Sequence, residues 1–180
     1  HAHQVATLYH TAEHGLRGVQ YTARHEGAHQ FVQGYVRTDG GIWFAEGFPT
    51  MFEPDIKFPQ YPFRWDTIRA AVFDGKEDLP LRDLVSGKGV TTRQGYALGA
   101  ATHWFFLTGR GGVYRKAYQE FLRKGSLDSP KALEKAVGRP IDELDREYRE
   151  YVREMDPQRE VKTNQVQTGP APWEAPAGGK

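Results

Sequence analysis

The stretch HEGAH at positions 25–29 constrains the fold of this chain more than any other part of its sequence. Residues four apart lie on the same side of an α-helix, about one turn from each other. On a helix, His25 and His29 can therefore offer two imidazoles to one ion. A catalytic zinc site uses three protein ligands and leaves the fourth position to water. The spacing thus predicts a helix that provides two of three ligands.

The third ligand has to be histidine, aspartate or glutamate, because the chain contains no cysteine. Glu46, in the run WFAEG at 43–47, is the best candidate. The DGG at 39–41 predicts a turn that lets a second helix fold back across the first. Glu26 stands between the two histidines and is free to act as a general base. We therefore predict one zinc ion per chain on His25, His29 and Glu46, with Glu26 acting on the water.

The same letters have a second interpretation, since any short motif also occurs by chance. The two histidines would then be polar surface groups, or they would be hydrogen-bonded inside a core. In that case the chain would be a helical interaction domain without metal.

The stretches HEGAHQ at 25–30 and IWFAEGFPTMFE at 42–53 resemble the gluzincin metallopeptidases. Those enzymes carry HExxH on one helix and a zinc-binding glutamate in a W-x-x-E-G segment on the next. Stretches such as GYALGAATHWFFL at 95–107 are similar to an uncharacterised gluzincin-type domain of bacterial, often exported, proteins. The resemblance covers about residues 20–155. It implies a peptidase that acts on peptides or proteins in a periplasmic or extracellular location.

Two departures from the family affect the predicted fold. Pro49 stands where the family usually has a small residue, and proline is tolerated only in the first turn of a helix. The second helix, over about 44–53, is therefore predicted to begin near Ala45. Only 24 residues precede His25, where such folds carry a small sheet. We expect a mainly α, zincin-like (gluzincin) helical domain with a reduced or missing N-terminal β-sheet. Residues 4–9 are predicted as either a remnant strand or a frayed terminus.

The length of 180 residues without repeats predicts a single domain. We assign residues 1–156 to this domain and expect it to be truncated at its N-terminus. The lack of an initiating Met indicates a fragment or a mature form. Residues 157–180 are rich in Gln, Pro, Gly and Ala and are predicted to form a disordered tail or linker. Prolines predict an ordered loop over 54–63. Apolar spacing predicts helices over about 16–35, 65–73, 81–85, 92–107, 113–123, 130–137 and 141–155.

Charge and hydropathy argue against several classes of partner. The formal net charge is +1 with both signs interspersed, so nothing points to nucleic acid or an anionic membrane. The sequence contains no run of about 18 apolar residues, so it predicts no transmembrane helix. The lack of cysteine leaves the compartment open, so an exported location rests on the resemblance alone.

Four further residues are candidates for supporting roles. Tyr96 and His103 are seven apart on one predicted helix face, and either could donate to the oxyanion that a peptidase has to stabilise. The alternative for each is a buried residue with a local hydrogen bond. Thr50 and Glu53 follow Glu46 by one and two turns, and either could hold a ligand histidine through its second nitrogen. A solvated glutamate at a helix end is the alternative for Glu53.

The motif and its context are compatible with two functions. The first is a zinc-dependent peptidase in which Glu26 activates a zinc-bound water. The alternative is a non-catalytic zinc-binding structural or interaction module on a degenerate peptidase scaffold, because structural zinc contributes folding free energy directly. The oligomeric state and the peptide specificity stay open.

Overall fold

The computed structural model describes residues 15–35, 40–53, 62–124 and 126–156 of the chain. These ranges are helical and contain no strand, so the prediction of a mainly α domain is confirmed for them. The predicted strand over 4–9 and the predicted tail over 157–180 lie outside the described residues. In chain order the α-helices are α1 Gly15–Tyr35, α2 Ile42–Ala45, α3 Gly47–Thr50, α4 Pro62–Val72, α5 Leu81–Ser86, α6 Thr92–Thr108, α7 Arg115–Lys124, α8 Pro130–Val137 and α9 Ile141–Met155.

Helix α6 lies at the centre of the fold and contacts α2, α3, α4, α5, α7 and α9. A capping box fixes its start: the Gln94 N–H donates to the Thr91 hydroxyl, and the Thr91 N–H donates to the Gln94 side chain. Its small and aromatic residues are largely buried, as the apolar composition of 92–107 predicts. The surrounding helices bury large side chains against it, among them Trp43, Trp65, Ile68, Leu84, Tyr118 and Tyr148.

Glycines let α2 and α3 cross α6 at very short range. A Cβ atom on Gly99 would lie 2.2 Å from the carbonyl oxygen of Trp43. A Cβ atom on Gly47 would lie 2.5 Å from the Cα of Gly99. Both contacts are with backbone atoms, which cannot rotate away as a side chain can. The glycine that follows Glu46 is thus required by the packing of two helices.

The prediction of one helix over 44–53 is wrong, because the structure has two short helices that meet at Glu46. The Glu46 backbone has φ −104° and ψ −34°, and the second helix resumes with a hydrogen bond of 3.1 Å from the Thr50 N–H to the Glu46 carbonyl. Pro49 has no N–H to donate to the carbonyl of Ala45, four residues earlier. The proline therefore interrupts the helix one turn before its own position and leaves Glu46 at the junction.

The other helices begin and end within a few residues of the predicted positions. Helix α4 starts earlier than expected, at Pro62, which is the first helical position that suits proline. Most of the predicted loop over 54–63 lies outside the described residues. In the part of the chain that the structure describes, no helix combines the length and the hydropathy of a membrane-spanning segment.

Candidate metal centre

Three side chains from α1 and the α2–α3 junction converge on one point. The Nε2 atoms of His25 and His29 lie 3.0 Å apart. The Oε2 atom of Glu46 lies 3.3 Å from the His25 nitrogen and 3.5 Å from the His29 nitrogen. These three residues form a group that could hold a metal ion. The helical spacing of four and the fold-back of the second segment together produce this triad.

The triad fits a tetrahedral ion closely. Ligand atoms at the bond lengths of zinc, about 2.0–2.2 Å, lie about 3.3–3.6 Å from each other in a tetrahedron. Both distances from Glu46 fall in that range. The distance between the imidazole nitrogens is shorter by a few tenths of an ångström, which a small rotation of either ring can correct. The donor atoms are thus already placed for an ion of this size.

Glu53 lies behind His25, on the side away from the triad. Its Oε1 atom is 2.9 Å from Nδ1 of His25, and a carboxylate at this distance favours the tautomer with the proton on Nδ1 and the lone pair on Nε2. Thr50 donates a hydrogen bond of 3.3 Å to the same Oε1 atom. The structure therefore brings Glu53 to one of the two candidate ligand histidines, while the Thr50 hydroxyl contacts Glu53 and not a histidine.

The charges around this pair shift the pKa of both partners. Burial alone would lower the pKa of His25, but the hydrogen bond to Glu53 and the negative charges of Glu53 and Glu46 outweigh it and raise the pKa. Burial alone would raise the pKa of Glu53, but the hydrogen bond to His25 and the charge of Arg64 outweigh it and lower the pKa. Glu53 is therefore a carboxylate at neutral pH. Its negative charge beside Nδ1 makes the imidazole of His25 a stronger electron donor through Nε2.

Tyr96, on α6, lies next to the triad. Its ring stacks on the His25 ring, with centroids 5.6 Å apart and planes inclined by 8°. Burial and a hydrogen bond to Glu46 raise the pKa of Tyr96 to about 12. The phenol therefore keeps its proton at neutral pH and remains a hydrogen-bond donor. This is the property that the predicted oxyanion role requires.

His103 lies elsewhere on α6, and its surroundings do not support the predicted contact with substrate. The imidazole is fully buried, stacks on Trp43 and lies against Phe44 and Phe48. Its Nδ1 atom is 2.7 Å from the hydroxyl of Tyr118. His103 lies seven residues after Tyr96, so the two share one face of α6 but stand about 10 Å apart along the helix axis. The alternative of a buried residue with a local hydrogen bond describes this environment.

His103 should make the stability of the protein depend on pH. Burial lowers its pKa to about 3, whereas a histidine in the unfolded chain has a pKa of about 6.5. Between these values the unfolded state binds one more proton, so the free energy of unfolding falls as the pH falls. Between pH 6.5 and 4.5 the wild type should lose about 2 kcal/mol more than His103→Gln in urea titrations. Equal losses in the two proteins would contradict this assignment.

Glu26 is half-buried on α1 and does not belong to the group of metal-ligating atoms. It lies about 60° round the helix from His29, on the neighbouring face. Arg64 is a neighbour of the site that was not predicted from the sequence. Its Nη2 atom donates to both carboxylate oxygens of Glu53, at 3.1 and 3.0 Å. No periodic spacing relates position 64 to position 53, so no signal in the sequence indicates this pair.

Comparisons of the chain with protein-family models, with curated proteins and with solved structures found no match. The resemblance to gluzincins therefore stays a prediction. What can be concluded about function comes from the three candidate ligand residues and from the side chains that contact them.

Proposed function

We propose that this chain is a zinc-dependent peptidase of the gluzincin type, built on a zincin-like helical domain. The observation that carries the proposal is the spacing of the three ligand atoms, 3.0 to 3.5 Å, with two of the three side chains still accessible to solvent. The side chains of His29 and Glu46 are each 25% exposed. Structural zinc sites are closed by four protein ligands, whereas catalytic sites keep one position open. Three ligands, two of them accessible to solvent, favour the catalytic kind.

The donor set favours zinc among the metals that proteins use. Two imidazoles and one carboxylate are a common catalytic zinc set, while calcium and magnesium prefer oxygen ligands alone. When bound, zinc would polarise a carbonyl group and lower the pKa of its water towards 7. The residues that would hold it are His25, His29 and Glu46.

The neighbouring side chains then have defined roles in peptide hydrolysis. Glu26 accepts a proton from the water as the water oxygen forms a bond to the scissile carbonyl carbon. Glu26 passes that proton to the leaving amine as the C–N bond breaks. Tyr96 donates a hydrogen bond to the carbonyl oxygen as negative charge develops there. Glu53 keeps the His25 ring oriented by accepting from Nδ1.

A non-catalytic zinc module is the second candidate, and one observation favours it. Among the described side chains of α1, only those of His25 and Ala28 are buried. An ion shared by α1 and Glu46 would therefore add to the docking of α1 on α3. One observation argues against this function: the position of Glu46 is fixed by the packing of α2 and does not depend on a metal ion. Trp43 anchors α2 by full burial and by a hydrogen bond of 3.2 Å to the Leu127 carbonyl.

Zinc content and hydrolysis of a quenched peptide library by the purified chain test the proposal. We expect one zinc per chain, and hydrolysis that stops when a chelator removes the metal and returns when zinc is added. Glu46→Ala removes one of the three ligands and should lower both zinc affinity and hydrolysis.

The possible results separate the two functions. A chain that binds one zinc but hydrolyses no peptide would favour the structural module. Wild-type zinc affinity in Glu46→Ala would remove Glu46 from the ligand set. A protein that binds no zinc would contradict both functions.

A further inference from the structure

Two residues outside the triad contact the imidazole of His25. The Oε1 atom of Glu53 lies 2.9 Å from its Nδ1 atom, and the ring of Tyr96 stacks on it with centroids 5.6 Å apart. Neither contact fixes these supporting side chains by itself, because a glutamate and a tyrosine each have rotatable bonds. Some other group has to select the rotamers seen in the structure.

Arg64 contacts both supporting residues. One guanidinium nitrogen donates to both carboxylate oxygens of Glu53, at 3.1 and 3.0 Å. The guanidinium carbon also lies 4.9 Å from the centroid of the Tyr96 ring, a cation–π distance. The side chains of Arg64 and Glu53 are only 16% and 10% exposed, so solvent and salt screen this ion pair less than a surface pair.

We propose that Arg64 is a positioning residue for the metal centre, which acts by holding Glu53 against His25 and by packing on Tyr96. The inference rests on the proposed metal site but not on peptidase activity. With the carboxylate of Glu53 held at both oxygens, Oε1 stays beside Nδ1 and the Nε2 lone pair of His25 stays aimed at the ion. Loss of Arg64 leaves the carboxylate of Glu53 held by the 3.3 Å hydrogen bond from Thr50, so Glu53 orients the ring of His25 less firmly.

The chain offers a matched control in Arg69, on the same helix α4. Its side chain is also 16% exposed, and it donates to both carboxylate oxygens of Asp156 at 3.1 and 2.6 Å. Its guanidinium lies 5.7 Å from the ring of Trp65. The two arginines therefore share residue type, helix, exposure and kinds of contact. None of the contacts described for Arg69 reaches His25, His29 or Glu46.

Zinc dissociation constants, measured by competition with a chromogenic chelator, test the proposal. Glu53→Gln should weaken zinc binding by about 10- to 100-fold, as is typical for a group that orients a metal ligand. Arg64→Gln acts one contact further away and should weaken it by roughly 3- to 10-fold. Arg69→Gln should stay within about 2-fold of the wild type. In the Glu53→Gln background, Arg64→Gln should add almost nothing, because the two residues act through one contact.

A general loss of stability would not produce this pattern, since it would affect Arg69→Gln as well and would add to the effect of Glu53→Gln. Equal zinc affinities of Arg64→Gln and Arg69→Gln would overturn the proposal, as would a full additional loss in the double variant. If Arg64→Gln does not fold, Arg64→Lys replaces it. Lysine keeps the charge but not the planar contact with Tyr96, and should still bind zinc more weakly than the wild type. Wild-type affinity in Arg64→Lys would then overturn the proposal.

The proposed peptidase and this inference can fail separately. A wild-type protein that binds zinc without hydrolysing any peptide would refute the peptidase, while the same series of dissociation constants would still decide the role of Arg64. A wild-type protein that binds no zinc would overturn both.

Discussion

Glu26→Gln should lower peptide turnover by about 10²- to 10⁴-fold and leave the zinc content at one per chain. The amide has nearly the size of the carboxylate but cannot accept a proton from the attacking water. Metal binding should persist because Glu26 does not belong to the ligand group. Turnover of the best substrate from the peptide library and metal analysis of the same preparation provide the two measurements.

Glu120→Gln is a suitable control for this variant. Glu120 is an exposed glutamate on α7, and it pairs with Lys124 at 3.8 Å. The control makes the same chemical change and should keep wild-type turnover. Undiminished hydrolysis by Glu26→Gln would refute the role of general base. Loss of zinc from Glu26→Gln would instead show that Glu26 is itself a ligand.

Gly99→Ala should destabilise the fold by about 3 kcal/mol, at the upper end of the range for overpacked cores. The new methyl group would lie 2.2 Å from the Trp43 carbonyl oxygen and 2.8 Å from the Cα of Gly47, so α2 or α6 has to move. Glu46 lies between these two contact points in the chain, and its carboxylate would move with them. We therefore expect zinc affinity to fall by about 10-fold or more, the effect of a displaced ligand. Urea unfolding and chelator competition measure the two effects.

Gly34→Ala tests whether the effect comes from close packing. Gly34 also lies within a helix, but a Cβ atom there meets nothing within 4 Å. Alanine is a better helix former than glycine, so this variant should be neutral or more stable by up to about 1 kcal/mol. If Gly99→Ala were as stable as the wild type, the close crossing of α2, α3 and α6 would be wrong.

The metal triad could be predicted from the sequence because its geometry is mostly local. A spacing of four on a helix fixes the relation between His25 and His29 without any knowledge of the fold. The prediction of Glu46 as the third ligand required two further arguments: the turn that returns the chain, and the resemblance to a known motif. The structure brings the three residues together, whereas zinc itself and the peptidase activity remain proposals.

Other features could not be derived because they depend on contacts between distant elements. Arg64 reaches Glu53 across a segment whose residues show no regular period. His103 shares a helix face with Tyr96, but the distance along the axis places it against Trp43. The interruption at Glu46 was within reach of the sequence, since the missing N–H of Pro49 affects the carbonyl four residues earlier. The prediction over 44–53 uses Pro49 only to place the start of the second helix.

The junction at Glu46 has a thermodynamic consequence. Phe44 before it and Gly47 after it are both buried, so the protein core orders the backbone of this ligand before any ion binds. Ordering the backbone of one residue costs about 1–2 kcal/mol of conformational entropy. Because folding already orders Glu46, metal binding does not have to include this cost. Metal affinity then becomes a sensitive reporter of core packing. A substitution that loosens the contacts around Trp43 should therefore speed metal release as well as lower the free energy of unfolding.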